Sequence, residues 1–407
     1  MTMAGNDEGN LTKSFHGLRV LDFSTTIAGP HCTRMLADMG AEVIKIETAE
    51  GETMRTRPPL RNNCSTAFGQ LNVGKKSLVL DLKSPDGIEI VRRLVASADI
   101  LVENFRPGVM RRLKLDYGSL REFNAGLIYC SISGYGQTGP SAELPAYAPV
   151  IHAASGYEMA HLAYQPGRSR PDYCGIYHAD VLTGVYAFGA IGAALHQRQG
   201  SGQGNGKGQH IDVSMLESML SLTLNELQWS QFEVKPTQRP MFGPLETANG
   251  YVMVAIASER TFQNLMQVIG HPEWVSDPRF AKYSDRRENW ARLMDGVEEW
   301  SRTVTTEQCL AALNDFGVPS SAYRTVAEAL RDPQIAHRGA LAEVEDGGGT
   351  FKVLNLPFRM SGAAVSAAKR MSTLGEHTLA YLKEIGLSED EISTFVGKKP
   401  KPARGGA

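Results

Sequence analysis

Residues 173–198, YCGIYHADVLTGVYAFGAIGAALHQR, set one carboxylate, Asp180, at the mouth of an apolar run dense in glycine and alanine. Between positions 181 and 196 no side chain is charged. So many small residues predict a buried helix whose backbone packs closely on a neighbour, because a core filled by side chains alone would use leucine. The amides at a helix N-terminus favour an anion by roughly 0.3–1 kcal/mol. Held ionised beside an apolar wall, Asp180 suits a nucleophile or a base. Aspartate is also among the preferred N-cap residues. Spacing alone leaves both roles open.

A second group of chemistry-bearing residues follows the run DILVENF at 99–105. There Asn104, Phe105 and Arg106 end a strand, and Arg111 and Arg112 follow in VMRRLKL, read as a basic helix. Ligands of open α/β sheets collect at the carboxyl ends of strands. This set is therefore a seat for phosphate and adenine, or else a solvated basic face. GQLNVGKKS at 69–77 is a near miss to a phosphate-binding loop, with Lys76 where a magnesium-binding Ser or Thr belongs. A strand-like segment follows it, where that motif needs a helix. LIYCSISGYGQTGP contains no GxSxG elbow, which sets aside a serine hydrolase.

The elements that must position these residues begin with LRVLDF at 18–23, a turn, the helical HCTRMLADMG, and EVIKIE at 42–47. Strand, helix and strand within about thirty residues form a βαβ unit and predict a parallel sheet with right-handed crossovers. The first turn lacks GxGxxG, so a dinucleotide site is not expected. SLVLDL, the helix entered at Pro85, DILVENF, IYCSIS and QHIDVSM extend the pattern. A glycine tract, GSGQGNGKG, precedes QHIDVSM, and a helical LESMLSLTLNELQWSQF follows it. Pro236 and Pro240 mark a break. From about 243 an Asn-Gly turn, a strand and amphipathic helices carry Trp274, Trp290 and Trp300 for a second core.

The predicted fold class is thus α/β, a Rossmann-like large domain with a parallel sheet plus a smaller α+β domain. The large domain covers 16–225 and returns at 340–395 after a hairpin at GGGT, and the small one covers 240–335. Residues 1–15 and 396–407 are expected to be disordered tails.

The 42 Lys and Arg against 44 Asp and Glu give a formal charge of -2, so neither nucleic acid nor an anionic membrane is an expected partner. The five cysteines lie far apart with no CxxC or Cys/His metal spacing, which predicts a reduced, cytoplasmic chain without a metal. No signal-peptide pattern is present, and the glycine-broken run after Asp180 reads as too weakly apolar to span a bilayer.

LRVLDFSTTIAGP, MLADMGAEVIKIE, LDLKSPDG, LVENFRPGVMRRL, IYCSISGYGQTGP, AYAPVIHAASG, HADVLTG, GKGQHIDVSMLES, DPRF and LGEHT keep one order along residues 17–390. In that register the chain resembles the class III CoA-transferases, the family of formyl-CoA transferase and carnitine CoA-transferase, to which α-methylacyl-CoA racemases are related. The resemblance implies a ring-shaped subunit threaded through a second copy as an interlocked homodimer. It also implies that coenzyme A and acyl-CoA serve as substrates, with no permanently bound cofactor.

Asp180 matches the family's catalytic aspartate. By that analogy its carboxylate attacks an acyl-CoA thioester to give an aspartyl acyl anhydride, followed by enzyme-bound CoA. Backbone amides would hold the tetrahedral oxyanion. The implied CoA contacts are Ile27, Ala28, Thr48, Leu80, Lys83, Asn104, Phe105, Arg106, Arg112 and Tyr147, the last near the thioester.

The reaction expected is transfer of CoA from an acyl-CoA, succinyl-CoA by preference, to a small dicarboxylate or branched acid. An intramolecular shift of CoA within one diacid would use the same machinery. The glutamine that formyl-CoA transferase has at the Ile27 position is missing. So is its glycine run, where this chain reads FGPLETANG, and both departures set formyl and oxalate chemistry aside.

A 2-methylacyl-CoA racemase is the rival reading. It needs a second acid/base group. Glu246 in LETANG matches the racemases, whereas Tyr147 stands where they have histidine. His152, five residues on, reads as a packed helix histidine.

Overall fold

The computed structural model describes residues 11–199, 206–233 and 242–397. Residues 1–10 of the expected leader, the tail from 398, most of the glycine tract, and Pro236 and Pro240 lie outside the described residues. The chain divides into two units, one of residues up to Leu227 together with those from His337, the other Gln228–Ala336.

Six strands build the sheet of the first unit: β1 Arg19–Asp22, β2 Glu42–Glu47, β3 Lys76–Val79, β4 Ile100–Glu103, β5 Ile128–Ser133 and β6 His210–Ser214. All five pairings are parallel. Their spatial order is 3-2-1-4-5-6. The order reverses between β1 and β4, a switch point of the kind at which doubly wound sheets bind ligands. β1, β2, β4 and β5 are almost wholly buried, as strands covered on both faces are. Along β1, Val20 faces one core with Val43 and Ile100, while Leu21 faces the other with Ile44 and Leu101.

Five helices matter to the site: α1 Ala28–Asp38, α2 Pro85–Val95, α3 Ala148–Ala154, α4 His178–Gln199 and α5 Met215–Leu220. Ser84 caps α2 by accepting the Gly87 N–H, with Pro85 in the first turn. Ile90, Val91, Leu94 and Val95 then return at helical spacing into one core. In α4, Ala187, Ile191, Ala194 and Leu195 do the same on the opposite face of the sheet.

Several expectations change. Residues 11–15 do not fray from the fold: the Phe15 N–H donates to the Met39 carbonyl at 2.8 Å, and its ring lies 6.0 Å from that of Phe188. The basic helix is a single turn, Val109–Arg112. LESMLSLTLNELQWSQF breaks into α5 and Leu224–Trp229. The α4 helix is buried on one face only. Val181, Val185 and Tyr186 are exposed, and a Cβ at Gly189 or Gly192 would meet nothing within 4 Å. By length and composition its 22 residues are also enough to cross a membrane, contrary to the sequence reading. Its buried face instead lines a core of the first unit.

In the second unit, β7 Leu245–Thr247, β8 Gly250–Val254 and β9 Ser320–Ala322 form an antiparallel sheet. Trp274, Trp290 and Trp300 pack against its core. The GGGT segment turns the hairpin of β10 Leu341–Asp346 and β11 Gly349–Leu354.

Candidate active site

Asp180 is the third residue of α4, in the first turn rather than at the cap. The Val181 N–H donates to the Tyr177 carbonyl at 3.0 Å, which already closes the first helical turn. The start of α4 is fixed from outside by His152. This histidine is buried in α3, and its Nε2 accepts the Ala179 N–H at 3.2 Å. Ligand atoms of His152, Cys174 and His178 lie within 4.8 Å of one another, a grouping hidden in the sequence. With its Nε2 committed to the Ala179 amide, His152 fixes the start of α4.

The Asp180 carboxylate is half-buried, and desolvation pushes its pKa up to about 6. The Ala28 N–H, at the first residue of α1, opposes that shift by hydrogen-bonding to it. Ile27 is the N-cap of α1 and offers no side-chain acceptor, so the N-terminal amides of this helix are left to other partners. Close contact of the two helices depends on Gly184, one turn after Asp180. A Cβ there would stand 2.7 Å from the Ala28 carbonyl and 3.0 Å from the His31 ring. The small residues of α4 thus bring a carboxylate onto the N-terminus of α1.

The turn before α1 is gripped from three sides. Asn104, after β4, accepts the Thr25 N–H and donates to the Thr25 carbonyl, both at 2.8 Å. Lys45 donates to the Ser24 carbonyl at 2.9 Å. Glu52 accepts the Thr26 N–H at 2.6 Å. Below lies Asp22, fully buried, whose carboxylate accepts from Lys75 at 2.9 Å and from Thr33 at 2.8 Å. Lys75 and Lys45 outweigh the burial of Asp22 and hold its carboxyl down to about 2. Lys75, the lysine of the near-miss phosphate loop, is therefore spent inside the fold.

The CoA residues implied by the resemblance divide by environment. Ile27, Ala28, Thr48, Leu80, Lys83, Asn104, Phe105 and Arg106 all follow the carboxyl ends of β1 to β4, on one edge of the sheet. Thr48, Lys83, Arg106 and Arg112 are exposed, as a phosphate seat requires. Leu80 is 1% exposed and belongs to the core, so only its backbone can meet a ligand. The Asn104 side chain is committed to Thr25. Phe105 is held by its N–H, which donates to Glu103 at 2.9 Å. Burial raises the Glu103 carboxyl to about 7. Tyr147 precedes α3 and is 69% exposed. Glu246 lies on β7 of the second unit, paired with Arg302 at 3.0 Å.

Sequence reasoning missed Asp22, Lys45, Glu52 and Lys75. A charge inside each apolar strand, Asp22 in RVLD and Lys45 in EVIKIE, was the available signal, since a buried charge demands a partner.

The chain matches the model of CoA-transferase family III over residues 15–378. It is 33% identical over 396 residues to the succinate–glutarate CoA-transferase of Agrobacterium fabrum, covering 93% of this chain and 97% of that one. With the acetyl-CoA:oxalate CoA-transferase of Acetobacter aceti it shares 36% identity over 357 residues, 86% and 89% of the two chains. The crystal structure of a CaiB/BaiF family protein from Brucella suis superposes with a TM-score of 0.80 at 34% identity, covering 92% of this chain and all of that one. With a half-buried carboxylate in the first turn of α4 and a match along nearly its whole length, the chain belongs to CoA-transferase family III and is a CoA-transferase.

Proposed function

We propose that this enzyme moves CoA from succinyl-CoA to a free dicarboxylate through covalent chemistry on Asp180. The observation that carries the mechanism is the Asp180 carboxylate, half-buried one turn before Gly184, which packs on the Ala28 backbone at the N-terminus of α1. An Asp180 oxygen attacks the thioester carbonyl. The C–S bond breaks, CoA leaves as the thiolate, and an aspartyl acyl anhydride remains. The thiolate then attacks the Asp180 acyl carbon, which releases the donor acid and leaves an aspartyl-CoA thioester. The acceptor carboxylate reverses these two steps and departs as its CoA ester. Holding the partners in one site replaces bimolecular encounters between weak nucleophiles. The uncapped end of α1 supplies backbone dipoles where oxyanion charge develops. No resident cofactor is required by this chemistry.

Both curated relatives described above carry dicarboxylates in their names, which supports a dicarboxylate acceptor. Incubation in D2O with succinyl-CoA, a chiral 2-methylacyl-CoA and a panel including glutarate and oxalate tests it by mass spectrometry. New CoA esters without deuterium at C2 are expected. Deuterium at C2 with no new ester would overturn the reading in favour of a racemase using Glu246.

The nucleophile must be ionised, so kcat is expected to climb with pH up to about 6 and level off above it. A profile flat down to pH 4 would contradict a buried carboxylate nucleophile. Arg112, exposed beside the Asn104–Arg106 loop, is assigned to the CoA phosphates. Arg112→Ala is expected to raise KM for acyl-CoA by about tenfold with kcat retained, because ground state and transition state lose the same contact.

The exposed apolar side of α4 supports an interlocked homodimer, with a second copy covering Val181, Val185 and Tyr186. Gly189→Ala and Gly192→Ala report on it. In open space each would stabilise by about 0.5–1 kcal/mol through helix propensity. Covered by a second backbone, each lowers Tm instead, and that loss is the expected result. Five free cysteines support a reducing, cytoplasmic location.

A further inference from the structure

We propose that Glu52 is a positioning residue for the transfer reaction, holding Thr26 in the left-handed region so that the Ala28 N–H meets Asp180. The inference rests on Asp180 being the nucleophile.

Thr26 has φ +67°, a conformation that β-branched residues rarely adopt. Strain of this kind persists only where surrounding contacts over-determine it. Glu52 supplies the contact. Its Oε1 accepts the Thr26 N–H at 2.6 Å, and its Oε2 pairs with Lys45 Nζ at 2.6 Å. Both side chains are only 2% exposed, so the carboxylate has no water to exchange for these partners. Lys45 in turn holds the Ser24 carbonyl, and the Glu52 N–H donates to Glu47 at 3.2 Å, which ties the holder to the end of β2. The grip acts on backbone atoms two residues before the amide that faces Asp180. Neutralising Lys45 alone would not require an oxygen aimed at Thr26. Asn104 secures only Thr25, so nothing else described takes the Thr26 N–H.

Glycine adopts positive φ freely, and a double-mutant cycle exploits that. Glu52→Met is expected to lower kcat by about 30-fold or more, since a misplacement of ~1 Å can cost ~10²-fold. KM for acyl-CoA changes little. The acid limb of kcat moves upward, because Asp180 loses its amide donor. Compared within a Thr26→Gly background, Glu52→Met is expected to cost less than about 5-fold, because the turn then needs no holder. Glu52→Gln, which keeps an oxygen for the Thr26 N–H, retains most of kcat. Equal losses in both backgrounds, or an unmoved acid limb, would overturn the proposal by reducing Glu52 to a partner of Lys45. Hydrogen exchange on the unsubstituted enzyme needs no variant, and fast exchange of the Thr26 amide would also overturn it. If Asp180→Ala kept its turnover, the nucleophile assignment would fall independently of any result at Glu52.

Discussion

Asp180→Ala is expected to lower CoA transfer by on the order of 10⁴-fold or more, because the covalent route disappears with its nucleophile. CoA affinity should stay within about threefold. The exposed cations assigned to its phosphates, Lys83, Arg106 and Arg112, follow β3 and β4 and do not depend on the Asp180 side chain. Folding should also survive. Asp180 is not the cap of α4, and burial has raised its pKa, so its ionised form is a net cost to the folded state. Removing it forfeits one hydrogen bond from Ala28. Turnover by stopped assay, CoA binding by calorimetry and a melting curve check the three parts separately. Substantial retained turnover would take Asp180 out of the mechanism.

Gly184→Ala is expected to be the most damaging small change away from the carboxylate. In an exposed helix this substitution stabilises by about 1 kcal/mol. Here the added Cβ would stand 2.7 Å from the Ala28 carbonyl, a backbone atom that cannot rotate away. Overpacking costs typically about 1–3 kcal/mol, so the clash outweighs the propensity and Tm falls. The displaced atoms belong to the residue whose N–H meets Asp180, so kcat is expected to drop by about 10- to 100-fold as well. A rise in Tm with unchanged kcat would show that α1 and α4 are not in the contact described. Gly189 and Gly192 have no such neighbour within the chain, so the kcat loss expected at Gly184 is not expected at them.

The parallel sheet was legible because its strands are short apolar runs separated by helix signals, as in RVLD, EVIKIE and IYCSIS. The order 3-2-1-4-5-6 was not, since strand neighbours are chosen by crossovers and not by composition. Asp180 stood out for a related reason: a lone charge before a long uncharged segment is visible in one dimension. Its rotation into the first turn was not, because cap and N3 positions differ by a few residues that sequence places poorly. Leu80 shows the limit of carrying a contact by alignment, since a motif residue can serve a ligand through its backbone while its side chain fills the core. The gripping of residues 24–26 by Lys45, Glu52 and Asn104 joins segments up to 79 residues apart, and no local pattern encodes such a meeting. The exposed face of α4 went unseen because small residues give the same composition whether they pack on a neighbour or lie open.

The covalent claim is tested most directly by trapping. The enzyme is mixed with succinyl-CoA, quenched with hydroxylamine, digested and read by peptide mass spectrometry. A hydroxamate on the side chain of Asp180, formed only when acyl-CoA is present, is the predicted result. Hydroxamate on another carboxylate, or none while turnover continues, would contradict it.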